Sequence, residues 1–252
     1  MPNLGLHIGF ALEAAERLGH PLPQEHRGSF LLGSTTPDVR LFAGWERERT
    51  HFFKLESDGP GAGFAGMVQR HPNLGRSDKL GRETLAFMLG YLSHLAVDEH
   101  WIAQVYRRFF GKQSPLAGDP MANVLDRVLQ FDLDRAEREG IADLEGALES
   151  IKGSYKGVEV GFIDHDLLRQ WQEVVIERTG RELPWEKFGG YVRRVRRDAG
   201  EGEVARIVQE APELAARVRS QVSDEELRRF REAALAAFTA TARQYMGEED
   251  YR

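Results

Sequence analysis

The sequence predicts an all-α fold, a single helical domain spanning residues 1–252, and three observations predict it. Apolar residues recur at helical rather than alternating spacing. Glycine and proline interrupt the chain at helix-length intervals. A hydrophobic content of 41%, with 10% aromatics, supplies a full-sized core, which excludes disordered, collagen-like and mini-protein classes.

Taken in order, residues 3–18 form the first helix, closed by Gly19 and Pro21. A short segment at 24–32 ends at Gly33, ahead of Ser34-Thr35-Thr36-Pro37-Asp38. Residues 54–66 read as a glycine-rich loop broken at Gly59-Pro60-Gly61. The strongest helix covers 80–110 and stops at Gly111, before a loop carrying Pro115, Gly118 and Pro120. The next runs over 121–139 and ends at Gly140. Further helices are expected at 141–152, 164–179, 185–198, 201–219 and 224–246, with room for a short extended piece in the break at 153–161. Ser223-Asp224-Glu225-Glu226 announces the last helix, because Ser223 and Glu226 can satisfy each other's free backbone donors.

The 34 basic and 40 acidic side chains leave a net charge of −6, so the overall balance points to no nucleic-acid partner and no anionic membrane surface. Cysteine is absent, which excludes disulfides, thiolate metal sites and cysteine nucleophiles. Any metal must be held by His, Asp, Glu or water. No basic segment leads into an apolar one at the start, and no stretch approaches the run of about 18 apolar residues of a membrane span. A cytoplasmic protein without an integral membrane segment is expected.

The informative segment is residues 89–101. At about 100° per residue, His94 and Asp98 lie one turn apart on a shared stripe, close to Phe87, Tyr91, Trp101 and Val105. A carboxylate on that buried face is costly unless it is paired or ligated to a cation. A simple His–Asp hydrogen bond is the alternative. His7 likewise shares a face with Leu4, Ala11, Ala14 and Leu18. His51 stands between Thr50 and Phe52-Phe53, and Asp38 follows Pro37, whose ring restricts the local backbone.

In that order His7, Gly33 to Pro37-Asp38, Thr50-His51-Phe52 and His94-Leu95-Ala96-Val97-Asp98 resemble the zinc-dependent phospholipase C and P1-nuclease superfamily, in particular its bacterial zinc-dependent phospholipase C-like branch. The resemblance covers roughly the first 140 residues. It implies metal-site helices over 1–140, around which 141–252 forms an accessory helical layer. Asp38, His51, His94 and Asp98 would ligate one metal, and His7 an adjacent one, with Asp98 available to bridge. The implied activity is a metal-dependent phosphoester hydrolase, in which cation-activated water attacks phosphorus and catalytic Asp38 orients or deprotonates that water. The implied substrate is a small phosphoester or a phospholipid.

Three departures reduce the expected site to one firmly held metal, with a second optional. The amino-terminal amine used by secreted relatives requires removal of Met1 to expose Pro2. A later His-x-x-x-Glu pair is replaced by Asp126 and Gln130. The family's further histidine corresponds to His100, which on a continuous helix points about 160° away from Asp98. His100 and Asp126 are therefore secondary candidates. Nitrogen and oxygen ligation suits zinc, and also manganese, iron or nickel.

Other readings compete. Asp164-His165-Asp166 suggests an HD-type phosphohydrolase, for which Asp198 and Asp224 are poor partners. The missing His-x-x-x-Glu pair favours a non-catalytic helical protein with a reduced structural metal site. A ferritin-like di-iron site needs Glu-x-x-His pairs, and Glu25-His26 and Glu99-His100 have the wrong spacing. Arg193-Arg194-Val195-Arg196-Arg197 reads as a solvated helix face beside Asp198, Glu201 and Glu203 rather than as an anion site.

Overall fold

The computed structural model describes residues 3–247. Its α-helices of seven or more residues are α1 (Leu4–Leu18), α2 (Arg27–Thr35), α3 (Ala62–Arg70), α4 (Arg82–His100), α5 (Ala122–Gly140), α6 (Leu144–Ile151), α7 (His165–Thr179), α8 (Gly189–Val195), α9 (Glu201–Gln221) and α10 (Asp224–Met246). Among the described residues no strand occurs. The break at 153–161 holds a short turn at Ser154–Gly157 and then extended backbone at Val158 without a pairing partner. The fold is all-α, as the periodicity predicts.

Helix α4 is the axis on which the rest is arranged. Every residue from Ala86 to His100 is buried, and α1, α2 and α10 pack against it. A helix buried on all sides needs apolar residues all round, and α4 supplies them, with polar members such as Ser93 and His100 satisfied on the helix's own carbonyls. Its closest neighbour is α2, because two glycines remove the side chains at the crossing. A β-carbon on Gly33 would lie 2.0 Å from the Phe87 carbonyl oxygen, and one on Gly90 would lie 1.8 Å from that of Phe30. Only glycine allows so close a backbone approach. The crossing brings the end of α2 within hydrogen-bonding reach of His94.

Two local differences from the sequence reading have physical causes. The helix predicted to 110 does continue, but residues Trp101–Phe110 have π-helical hydrogen bonding, ending in the Gly111 N–H to Tyr106 carbonyl bond of 2.7 Å. The glycine-rich loop is shorter than 54–66, since α3 starts at Ala62 behind Gly61, whose φ of +92° suits glycine.

The later helices share the core with the earlier ones. Helix α5 lies on α1 and α9, and α10 packs on α4 and α1, so one buried apolar cluster runs from Leu6 to Tyr245. At the start of α10, Ser223 Oγ accepts the Glu226 N–H and Glu226 accepts the Ser223 N–H, both at 3.3 Å. No helix among the described residues is long and apolar enough to cross a membrane.

Candidate metal centre

Four separate stretches deliver the polar cluster. His7 comes from α1, Asp38 from a 3-10 turn at Thr36–Asp38, His51 from a single helical turn at Glu48–His51, and His94 with Asp98 from α4. All five are 6% exposed or less. The two turns are clamped together by Thr50, whose hydroxyl donates to the Pro37 carbonyl at 2.8 Å. Tyr91 of α4 donates its hydroxyl to the Thr50 carbonyl and ties the same turn to the central helix. Phe52 closes the turn at φ +62°, the sole non-glycine residue with positive φ among the described residues. A bulky residue held in the left-handed region costs on the order of 1–3 kcal/mol, and here it ends the turn that carries His51.

The side chains form two overlapping groups, His7–His94–Asp98 and Asp38–His51–His94, each with ligand atoms within 4.8 Å of one another. Asp98 Oδ2 lies 3.1 Å from His51 Nε2 and 3.5 Å from His94 Nε2. Asp98 Oδ1 is 3.7 Å from His7 Nε2, and Asp38 Oδ1 is 3.9 Å from His51 Nε2. The two ring nitrogens of His51 and His94 face each other at 3.3 Å.

Hydrogen bonding around the cluster assigns the tautomers. His94 Nδ1 sits 2.8 Å from the Ser34 carbonyl, which can only accept, so Nδ1 carries the proton and Nε2 presents a lone pair. His51 Nδ1 is 3.1 Å from Thr50 Oγ1, whose own proton goes to Pro37, so the ring donates there and again turns a lone pair inward. Two imidazole lone pairs and a carboxylate oxygen thus converge in a buried space. Asp98 Oδ1 and Asp38 Oδ1 are buried oxygens with no hydrogen-bond donor. Beyond the Arg47 bonds to Asp98 Oδ2, such a gathering of acceptors is stabilised by a cation, and its nitrogen and oxygen donors fit a divalent metal.

Protonation follows the same logic. Burial and the neighbouring Arg47 charge push His51 well below its ordinary pKa, against the pull of Asp98, so the ring is neutral as a ligand must be. Burial raises Asp98, but the groups around it, the Arg47 charge among them, outweigh it and hold the carboxylate well below the usual range.

Two functional neighbours carried no signal in the sequence. Arg47 donates to Asp98 Oδ2 from both terminal nitrogens, at 3.2 and 3.3 Å, while its guanidinium lies 4.5 Å from the Phe53 ring centre. Glu99 accepts the Gly61 N–H at 2.6 Å and the Gly63 N–H at 2.5 Å, pinning the glycine loop beside the cluster. Burial pushes Glu99 up to about 7 despite those donors. Arg47 lies in an unremarkable Glu46-Arg47-Glu48-Arg49 run, so only long-range packing reveals its role.

The secondary candidates lie apart from both groups. His100 directs Nδ1 to the Ala96 carbonyl at 2.8 Å, as its helical phase relative to Asp98 requires. Asp126 accepts from Trp101 Nε1 at 3.0 Å and from Gln130 Nε2 at 2.7 Å, so both its oxygens are engaged outside the cluster. His165 and Asp166 are exposed at the start of α7, where Asp164 caps the helix by accepting the Leu167 N–H at 2.7 Å. The amino-terminal amine and Pro2 lie outside the described residues.

Asp38 is the member of the cluster that reaches open space. It borders a cleft whose walls include Asn3 and Leu41 from the amino-terminal half and Trp171, Tyr191 and Arg194 from the later helices. No curated protein and no solved structure gives a significant match to the chain. Residues 6–101, the stretch carrying all five clustered side chains, match the family model described as zinc dependent phospholipase C.

Proposed function

We propose that the protein is a metal-dependent phosphoester hydrolase whose reaction takes place where the Asp38 cleft meets the buried cluster. The observation that carries this reading is the convergence of His51 Nε2, His94 Nε2 and Asp98 Oδ2 within 3.5 Å of one another, with no proton assigned among them. His51, His94 and Asp98 would hold the metal, with Asp38 at its open side and His7 toward a neighbouring position. A bound divalent cation supplies charge neutralisation at the phosphoryl oxygens and a water acidified toward neutral pH.

The chain's own residues would do the rest. Ser34 and Thr50 keep the two imidazoles in the ligating tautomer. Asp38 lies between the cleft and His51, with Oδ1 unbonded, and is placed to orient the attacking water or take its proton. Arg47 places its charge against the same Asp98 oxygen that faces the two imidazoles.

Metal analysis of chelator-free protein, followed by hydrolysis of bis(p-nitrophenyl) phosphate, tests the reading. About one bound metal per chain and metal-dependent turnover are expected. Metal-free protein that takes up no cation on titration would end it. A second reading, a structural metal staple, draws on the Arg47 contact to Asp98 and on the Asp126–Gln130 pair, which is hydrogen-bonded outside the cluster. Bound metal without turnover across zinc, manganese, iron and nickel would favour that staple.

A further inference from the structure

The arginine run at 193–197 looks solvated in the sequence, and the structure divides it. Arg193 pairs with Glu201 at 2.6 and 3.0 Å, and Arg196 with Asp198 at 3.3 Å and Glu203 at 2.9 Å. Those bonds consume the nearby acids. Arg194 and Arg197 have no carboxylate partner among the described residues, and both line a second cleft that Asp38 also borders, next to the one walled by Trp171. Arg40 enters the same cleft from the segment after Asp38, and its half-buried side chain has an Nε with no hydrogen-bond partner. The cleft encloses about 500 Å³, and Asp38 is the sole acid in its lining. In a chain of net charge −6, this concentrates positive potential at one concave place.

Three guanidiniums around a cleft exceed what one phosphoester anion at the buried cluster requires. We propose that this cleft is an anion subsite that takes a phosphate group other than the one reaching the His/Asp cluster, so that the substrate class is a small phosphoester bearing a second phosphate. The substrate clause rests on the hydrolase reading; the anion site itself does not. Guanidinium forks bind phosphate oxygens in pairs, and Arg194 in the last turn of α8 and Arg197 just beyond its end line one cleft, where both can meet one anion.

Calorimetric titration with inorganic pyrophosphate tests it, using wild-type protein, Arg194→Glu/Arg197→Glu, the charge-matched control Arg228→Glu/Arg229→Glu on α10, and His94→Ala. Pyrophosphate is expected to bind wild-type protein, chelator-treated wild-type protein and His94→Ala alike. Binding should weaken about tenfold or more in Arg194→Glu/Arg197→Glu and change little in the control. Unchanged affinity in Arg194→Glu/Arg197→Glu, or equal loss in the control, would overturn the proposal. Loss of binding in chelator-treated wild-type protein would overturn it too, by placing the anion on the metal. Absence of metal or turnover bears on the hydrolase reading alone, because the pyrophosphate titration needs neither.

Discussion

The imidazoles of His7 and His94 stack with ring centres 3.7 Å apart and planes 9° from parallel, although they come from different helices, α1 and α4. Two imidazolium ions at that spacing in a buried site would repel strongly. That close stack is incompatible with a doubly charged pair, and histidine binds metal as the neutral ring. His94 also meets His51 edge-on, with centres 5.2 Å apart, so it belongs to both ligand groups and is the pivot of the cluster.

Replacing His94 or Asp98 with alanine should therefore remove the metal, reducing content from about one per chain to less than about a tenth of that. His100→Ala should leave metal content unchanged, since His100 bonds the Ala96 carbonyl and lies outside both groups. Elemental analysis of the three variants checks both statements. Equal loss in His100→Ala would show that the histidine contributes to the site.

Arg47 places a positive charge against Asp98 Oδ2, where a cation is also expected. Arg47→Gln should strengthen zinc binding by about tenfold or more at low salt, because one like charge is removed from a poorly screened site. Competition with a chromophoric chelator measures this. Weaker binding instead would show that Arg47 chiefly positions Asp98.

Gly90→Ala puts a methyl group 1.8 Å from the Phe30 carbonyl oxygen, and Gly33→Ala puts one 2.0 Å from that of Phe87. Neither backbone atom can yield without separating α2 from α4. Each variant should lose about 3 kcal/mol or more by urea denaturation, at the upper end of overpacking costs. Both should also lose metal, since the Ser34–His94 bond depends on the same crossing. A loss below 1 kcal/mol, within about the range of surface changes, would mean the helices can part freely.

Asp134 offers a test of pH dependence away from the cluster. Burial raises its pKa above the ordinary 3.8, against Arg138 at 2.9 Å and the Leu6 N–H at 2.8 Å. The folded chain then holds this proton more tightly than the unfolded chain. Its contribution is full below the ordinary aspartate value and falls as pH rises through the raised native value. The stability difference between wild-type protein and Asp134→Asn should shrink with rising pH across that window. Urea denaturation at several values between about pH 3 and pH 7 measures it, and a difference that grows with pH would contradict the sign.

Much of the helix order was legible because each boundary is a local event: Gly19 closing α1, Gly111 ending the long helix, Ser223 and Glu226 opening α10. The placement of His94 and Asp98 was also legible, since helical phase alone puts residues four apart on one stripe. The hydrogen bonding within that helix was not, and neither was the start of α3 inside the glycine-rich stretch.

By itself the sequence determined the helices and the residue types able to bind a metal, because periodicity, caps and side-chain chemistry act over a few residues. Only the tertiary structure decided that α2 and α4 cross at two glycines, that Arg47 meets Asp98, and that Arg194, without a carboxylate partner among the described residues, lines a cleft with Asp38. Those relationships join residues far apart in the chain, and their energy exists only once the packed core has brought the partners within a few ångströms.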